Sequence, residues 1–414
     1  MTQWAPEWAV SVNGGGDVTG VTLANLTITS GRTDIYSQAV AGYCTVEIIN
    51  LNQSAIAFDV NDAIIIKVKD STGAFVNLFG GSVTDIVTAV TSAGTGGINE
   101  TIRLTALGAL SKLPKTLTEG VLTKANDGTQ IYSILSAILF STWNDVPAAE
   151  TWAAYDPTTT WANAENAGLG QIDTPGNYEL TARSAAVTDI YSLVAGLATS
   201  GLGYIYEDSS GRIGYADSTR RSSYLATNGY VGLTGNHALT DGLRTVRRIG
   251  DLRNKVTIKY KSNAEETAES EQSILTYGSQ AQIINTTIEN AADAESQADF
   301  YLGIRAFPQD IFESITFSLG NPEIDDSDRD ALLSVFMGQP LDITDLPANM
   351  VNGRFQGFVE GWSFRAGYNR LDITLTLSPT AFSLQSMKWD DVGALETWLT
   401  INPLTDWNSA IIVA

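Results

Sequence analysis

The chain has 414 residues and a formal net charge of −22, from 24 Lys and Arg against 46 Asp and Glu. That length allows two or three domains, and the acid excess argues against a nucleic-acid or anionic-lipid binder, since both need clustered basic residues. A single cysteine, Cys44, excludes an intrachain disulfide and a thiolate-rich metal site, and a single histidine, His237, removes most histidine-based catalysis.

Met1–Val12 shows no basic start followed by an apolar run, so no signal peptide is expected. From Val18 to Leu107 the pattern is one of strands: Val21–Ile28, Thr45–Ile49, Ala63–Val68, Val76–Val87 and Thr101–Leu107. Turn residues separate them at Asn13–Gly16, Ser30–Arg32, Asn61-Asp62, Ser71–Gly73 and Gly94–Gly97. Short strands with turns this regular predict a small barrel or sandwich.

The middle changes period. Ile131, Ile134, Leu135, Ile138 and Leu139 share one helical face over Thr129–Ser141, with Asp127 and Thr129 as candidate caps. That apolar stretch, Ile131–Phe140, is about half of what spans a bilayer, so no membrane anchor is expected. Val187, Ile190, Val194 and Leu197 predict a second helix over Val187–Thr199, stopped by Gly201. Tyr204–Glu207 and Arg212–Tyr215 flank Asp208-Ser209-Ser210-Gly211 as a β-hairpin. Strands resume at Lys255–Tyr260, and a helix is expected from about Ala291 to Gly303. Ser314–Leu319, Leu341–Thr344, Arg354–Arg365 and Arg370–Leu377 then alternate.

Two internal repeats stand out. Residues 143–164 and 389–410 are identical at 11 of 22 ungapped positions, and they carry Trp143, Trp152, Trp161 and Trp389, Trp398, Trp407. An odd spacing of nine reverses the face on helix and strand alike, so an irregular segment with indoles in separate sites is expected. Packing of each copy on its own domain is the plainer expectation for large aromatics. Docking on a neighbouring subunit is the other, favoured for the C-terminal copy, since buried Trp anchors are typical of interfaces. The second repeat is a pattern of turn, strand, F-x-G-x-V and strand. It runs through Phe79, Gly81 and Val83 to Leu107, and again through Phe355, Gly357 and Val359 to Leu377. Glycine there lets a strand bend or bulge. The matching order predicts two copies of one β-barrel.

The chain is therefore read as mainly β with α+β, two barrels flanking a mixed α/β segment. The expected divisions are 1–112 (first barrel), 113–240 (mixed α/β, with a Trp repeat), 241–380 (second barrel with a helix) and 381–414 (Trp-repeat extension). No long linker separates them.

The motifs in order resemble a known family. Gly31–Asp34 with Gln38 and Gly42, then Thr45–Ile48 and Leu78–Ile86, look like the opening barrel of tailed-phage minor tail proteins. Ser273–Gly278, the Ala-rich helix leading into Arg305–Pro308, and Gly353–Pro379 resemble that family too. The family is that of the baseplate hub, or tail-associated, proteins. The resemblance implies a homotrimer with two tail-tube-like barrels per chain, so that six barrels match the six-fold tube to the three-fold tip. It also implies a channel passing phage DNA without sequence-specific binding, and a place in the virion, at the phage tail tip. The neighbours it implies are a distal tail protein, a tape-measure protein and tail-tip or fibre proteins. Three chains at −22 each carry −66, which would discourage DNA from sticking to a channel wall.

No enzyme chemistry emerges. Asp326, Asp328 and Asp330 occupy positions 1, 3 and 5 of a calcium loop, but Ala331 and Met337 stand where Gly and Glu are needed. A solvated turn and cap is the better reading. No G-x-S-x-G elbow, phosphate loop or selected carboxylate pair is present, and no cofactor is expected. Seven basic residues crowd 244–261, including Arg247 and Arg248. They read as a solvated strand face or, more sharply, as a contact with an acidic face of a neighbouring subunit. The alternatives to a structural hub are a receptor- or carbohydrate-binding protein using exposed Trp rings and, below it, a tail-associated glycanase.

Overall fold

The computed structural model describes residues 4–19, 21–50, 55–56, 58–92, 99–141, 168–239, 243–308, 311–350, 353–367, 369–380, 387–388 and 412–413. Both Trp repeats, with all six of their tryptophans, lie outside the described residues.

The first third supplies β1 (Trp8–Val12), β2 (Val21–Gly31), β3 (Tyr43–Asn50), β4 (Ala63–Lys69), β5 (Phe75–Ser92) and β6 (Asn99–Leu107). The middle holds α1 (Asp127–Ser141), β7 (Gly168–Ile172), α2 (Ile190–Ser200), β8 (Tyr204–Glu207), β9 (Arg212–Ala216), α3 (Arg220–Asn228) and β10 (Val231–Thr234). Then come β11 (Arg244–Val246), β12 (Lys255–Tyr260), β13 (Ala264–Glu269), α4 (Glu271–Tyr277), β14 (Ala281–Asn285) and α5 (Ala291–Arg305). The last part is β15 (Ile311–Ser318), α6 (Asp326–Leu333), β16 (Pro340–Thr344), β17 (Phe355–Gly367) and β18 (Arg370–Pro379).

Twelve of these strands form one sheet in the order β1-β4-β5-β6-β3-β2-β17-β18-β15-β11, with β16 beside β17 and β10 beside β16. Pairing is antiparallel except between β10 and β16. Among the described residues no closed barrel is found, so the expected pair of barrels appears here as two half-sheets joined edge to edge. The join is β2 on β17, from Leu26 opposite Ala366 to Gly31 opposite Gly361. Alternation sets the buried face: Cys44, Val46 and Ile48 on β3, Ile64, Ile66 and Val68 on β4, and Leu371, Ile373, Leu375 and Leu377 on β18. A smaller sheet, β13-β12-β14, packs under α5, with Val256, Ile258, Ala294 and Ala298 buried between them.

The helices correct two expected details. Asp127 does not cap α1; its carboxylate is turned inward to accept from the Tyr178 backbone N–H at 2.9 Å and from the Tyr215 hydroxyl. The second helix starts at Ile190 rather than Val187, because Asp189 accepts from the Ser192 N–H and fixes the N-terminus there. Val187 is left 71% exposed. The acidic run proves to be the start of α6, with Asp325 capping through the Asp328 N–H at 2.9 Å.

The second repeat is visible in the strand pairing. Phe79 and Gly81 on β5 face Ile66 and Ile64 of β4, as Phe355 and Gly357 on β17 face Ile343 and Leu341 of β16. Each copy then carries a bulge at the same step, between Val83 and Asp85 and between Val359 and Gly361. The glycines are there for space. A Cβ on Gly81 would strike the Leu107 carbonyl oxygen and lie 2.7 Å from the Phe79 ring. One on Gly357 would strike the Ser378 carbonyl oxygen and lie 2.5 Å from the Phe355 ring. In both copies the phenylalanine folds back over its own glycine.

Replacing Gly81 or Gly357 by alanine should therefore destabilise by about 1–3 kcal/mol, the usual cost of overpacking. Gly232→Ala, where a Cβ meets nothing within 4 Å, should change little. Urea denaturation of the three variants checks this, and equal stability for all three would contradict the packing account.

Candidate functional site

The join between the half-sheets is built around a buried carboxylate. β2 ends at Gly31, whose φ of +90° brings the backbone against Gly361, where neither residue has room for a Cβ. The strands can then approach closely enough for the Arg32 N–H to donate to the Glu360 carbonyl at 2.9 Å. Glu360 is the extra residue of the β17 bulge and is fully buried. Its carboxylate accepts from Arg32 Nε at 2.6 Å and from Arg221 Nη1 and Nη2 at 2.7 and 2.9 Å, and from the Ser378 hydroxyl. Arg221 comes from α3, so three distant segments meet on one side chain. The Tyr204 ring stacks on both guanidinium groups, 4.6 Å from Arg221 and 5.2 Å from Arg32. Burial alone would push the Glu360 pKa up, but Arg221 and then Arg32 outweigh it and hold it at about 2.

A second buried acid has no cation at hand among the described residues. Glu207, at the end of β8, reaches between two glycines of the first half-sheet and accepts from the Gly42 and Leu110 N–H groups, the latter at 3.1 Å. A Cβ on Gly42 or Gly108 would fall on its carboxylate, so both positions require glycine. Burial pushes the Glu207 pKa up to about 7, partly offset by those two donors. Asp127 is likewise pushed up to about 6 by burial, against hydrogen bonds from Tyr215 and Tyr178.

Beside the junction lies a cavity of about 50 Å³, lined by Arg32, Tyr36, Gln38, Tyr204, Tyr301 and Ile304 among others. Ordinary ligand clefts run to roughly 300–1,000 Å³, so this one has room for a few waters. No cluster of metal-ligating side chains occurs among the described residues. No helix among them is long and apolar enough to cross a membrane.

Of the residues put forward as subunit contacts, Arg247 and Arg248 are described. Both are exposed and directly follow β11 at one end of the twelve-stranded sheet, Arg248 in extended backbone. Much of that basic cluster is engaged within the chain. Lys255 pairs with Glu269 at 2.8 Å, Lys259 with Glu265 at 3.2 Å and Lys261 with Glu289 at 2.8 Å. Cys44 is fully buried in β3, where burial pushes its thiol up. Sequence reasoning missed Glu360, Arg32, Arg221 and Glu207. The one available signal was a lone glutamate inside the apolar strand Phe355–Phe364.

Two outcomes follow. Glu360→Ala leaves two buried guanidinium groups without their carboxylate and should cost about 3–5 kcal/mol in a denaturation midpoint, whereas Lys255→Ala, on an exposed pair, should cost little. For Glu207 the unfolded chain releases its proton near pH 4.5, while the folded chain keeps it to about 7. Stability owed to this group is thus highest below pH 4.5 and falls as pH rises through 7. Between pH 5 and 8 the wild type should lose up to about 3 kcal/mol more than Glu207→Gln. Parallel losses in the two proteins would refute the assignment.

No protein-family model matches the chain, and no curated protein matches its sequence. Solved structures do. The 43 kDa tail protein of prophage MuSo2 from Shewanella oneidensis matches over 92% of this chain and 99% of its own, with a TM-score of 0.56 and 13% identity. The tail protein from Neisseria meningitidis MC58 matches over 91% of this chain and 98% of its own, with a TM-score of 0.57 and 12% identity. At that identity the likeness is one of fold, and it extends over nearly the whole of each chain: this is a mainly β chain with the fold of phage tail proteins.

Proposed function

We propose that the chain is a non-enzymatic structural component of a phage tail, acting as a trimeric hub between tail tube and tail tip. The observation that carries this reading is the duplicated half-sheet, with F-x-G-x-V, its glycine and its bulge repeated at one register in β5 and β17. A chain that contains one building unit twice supplies six units from three copies, which adapts a six-fold tube to a three-fold tip. In this reading each half-sheet forms the wall of one tail-tube-like barrel, within the four-part division of the chain given above. The fold shared with two tail proteins supports a place in the virion.

The mechanism is geometric. Three copies surround a channel through which DNA passes, and their acidic charge keeps it from adhering. A distal tail protein and the tape-measure protein meet the ring on the tube side, and tail-tip or fibre proteins meet it below. The water-sized cavity and the structural role of each buried acid support a protein whose polar groups hold parts together. In the same reading, the six repeat tryptophans and Arg247 and Arg248 serve subunit contacts.

Light scattering at micromolar protein and moderate salt should give a mass near three times 44.3 kDa. Electron microscopy of that species should show a ring with six lobes. A monomer that resists concentration, together with binding in a glycan screen, would favour the receptor-binding alternative.

A further inference from the structure

The cavity beside the junction is walled by donors for which the protein supplies no acceptor. Arg32 is only 7% exposed and carries five N–H groups. Its Nε donates to Glu360 Oε2 and its Nη1 to the Ser37 carbonyl at 3.0 Å, while its Nη2 meets no acceptor among the described residues. Glu360 has little more to offer, because Arg221 already engages both carboxylate oxygens. Tyr36, in the loop after β2, is held by its ring, which lies 3.8 Å from the Arg305 guanidinium. Its hydroxyl, like that of Tyr301 on α5, bonds to no described residue. Arg32, Tyr36 and Tyr301 all line this one cavity. Unmet donors in an interior are costly, so three of them around one space call for an acceptor.

The charge around that space is chiefly positive. The charges acting on Tyr301 are the guanidinium groups of Arg32 and Arg305. On Tyr36, Arg305 acts ahead of Asp34 and Asp251, and the Asp34 carboxylate is turned to the Tyr36 and Ser37 N–H groups at 2.8 and 2.9 Å. Asp217 is the acid among the lining residues, and its Oδ1 accepts from the Thr219 and Arg220 N–H groups at the start of α3. A buried guanidinium beside polar free space favours negative charge there. Size is set by the volume of about 50 Å³ and by the apolar wall of Ile35, Leu202 and Ile304. These suit an ion little larger than water that sheds its hydration readily, and they leave no room for an organic acid.

We propose that this cavity binds one small monovalent anion of halide size, which accepts from Arg32 Nη2 and from the hydroxyls of Tyr36 and Tyr301. The ion joins parts of the chain that are far apart in sequence: the loop after β2, the turn between α2 and β8, the start of α3, and α5. It is a second clasp beside the Glu360 node, and it brings α5 into a junction that the node itself does not reach. The site lies within a single chain, so it depends neither on the hub reading nor on the oligomeric state.

The test uses the full chain with bromide and chloride as probes. Crystals soaked in sodium bromide should show an anomalous peak in the cavity, within hydrogen-bonding distance of Arg32 Nη2. In solution the urea midpoint should rise with chloride and then saturate, at an ionic strength held constant with gluconate, whose anion is too large for the cavity. Tyr301→Phe removes one donor and keeps the ring, and should raise the chloride concentration for half the effect by about tenfold. Asp217→Asn keeps the acceptor at the start of α3 while removing the nearby negative charge, and should lower that concentration. Both substitutions leave the hydrogen bonds to Glu360 in place. A bromide peak without chloride-dependent stability would mark an adventitious ion only and overturn the proposal. So would the lack of any peak in the cavity, or an equal chloride response in the wild type and Tyr301→Phe.

Discussion

The structure depends on one carboxylate held between two guanidinium groups out of reach of water. Removing three charges from solvent costs far more than one attractive pair returns unless the geometry is close and further hydrogen bonds satisfy the carboxylate. Glu360 meets that condition with Arg32, Arg221 and Ser378, and the Tyr204 ring face accommodates the surplus positive charge. Such a node contributes more to uniqueness than to raw stability. Alternative registers between the half-sheets would strand a buried ion, so only the observed one is tolerated.

Backbone space makes this node possible. Gly31 and Gly361 let two strands meet without side chains between them, and the β17 bulge turns Glu360 toward the interior instead of along the pleat. The corresponding bulge of β5 places Thr84 there, with Asp85 exposed beside it, so the same device serves a buried anchor in one copy and a solvated edge in the other. The middle of the chain is fixed to the first half by a different means: Glu207 hydrogen bonds to backbone rather than to a cation. One junction therefore stays charged at every physiological pH, and the other changes its protonation within that range.

Much of this architecture could be read from residue order. Strands β2 to β6 and β15 to β18 show the period-two alternation that a one-sided core demands, and α1, α2 and α5 show helical spacing. Helix α3 escaped because its sequence, RRSSYLATN, buries only Arg221 and Leu225. β10, β11 and β13 escaped because they are short or polar. The node itself could not be read, since Glu360 meets partners 328 and 139 residues away and no local pattern records so distant a match. The F-x-G-x-V repeat, a faint signal, marks positions that pair with their neighbouring strands in matching register. The Trp repeats, a stronger signal, fall where no residues are described.

The pairing of β2 with β17 also constrains how the chain is made. Synthesis delivers β2 well before β17, whose Glu360 follows Arg32 by 328 residues, so over that stretch of translation the first half-sheet carries a finished edge with nothing to cover it. Folding must wait for a contact of very high sequence separation, which is slow and leaves the nascent edge open to wrong partners. A neighbour emerging from the same polysome offers the same edge. Chains of this design thus gain from low local concentration or chaperone cover until β17 leaves the ribosome, and products that stop short of β17 would be their most aggregation-prone form.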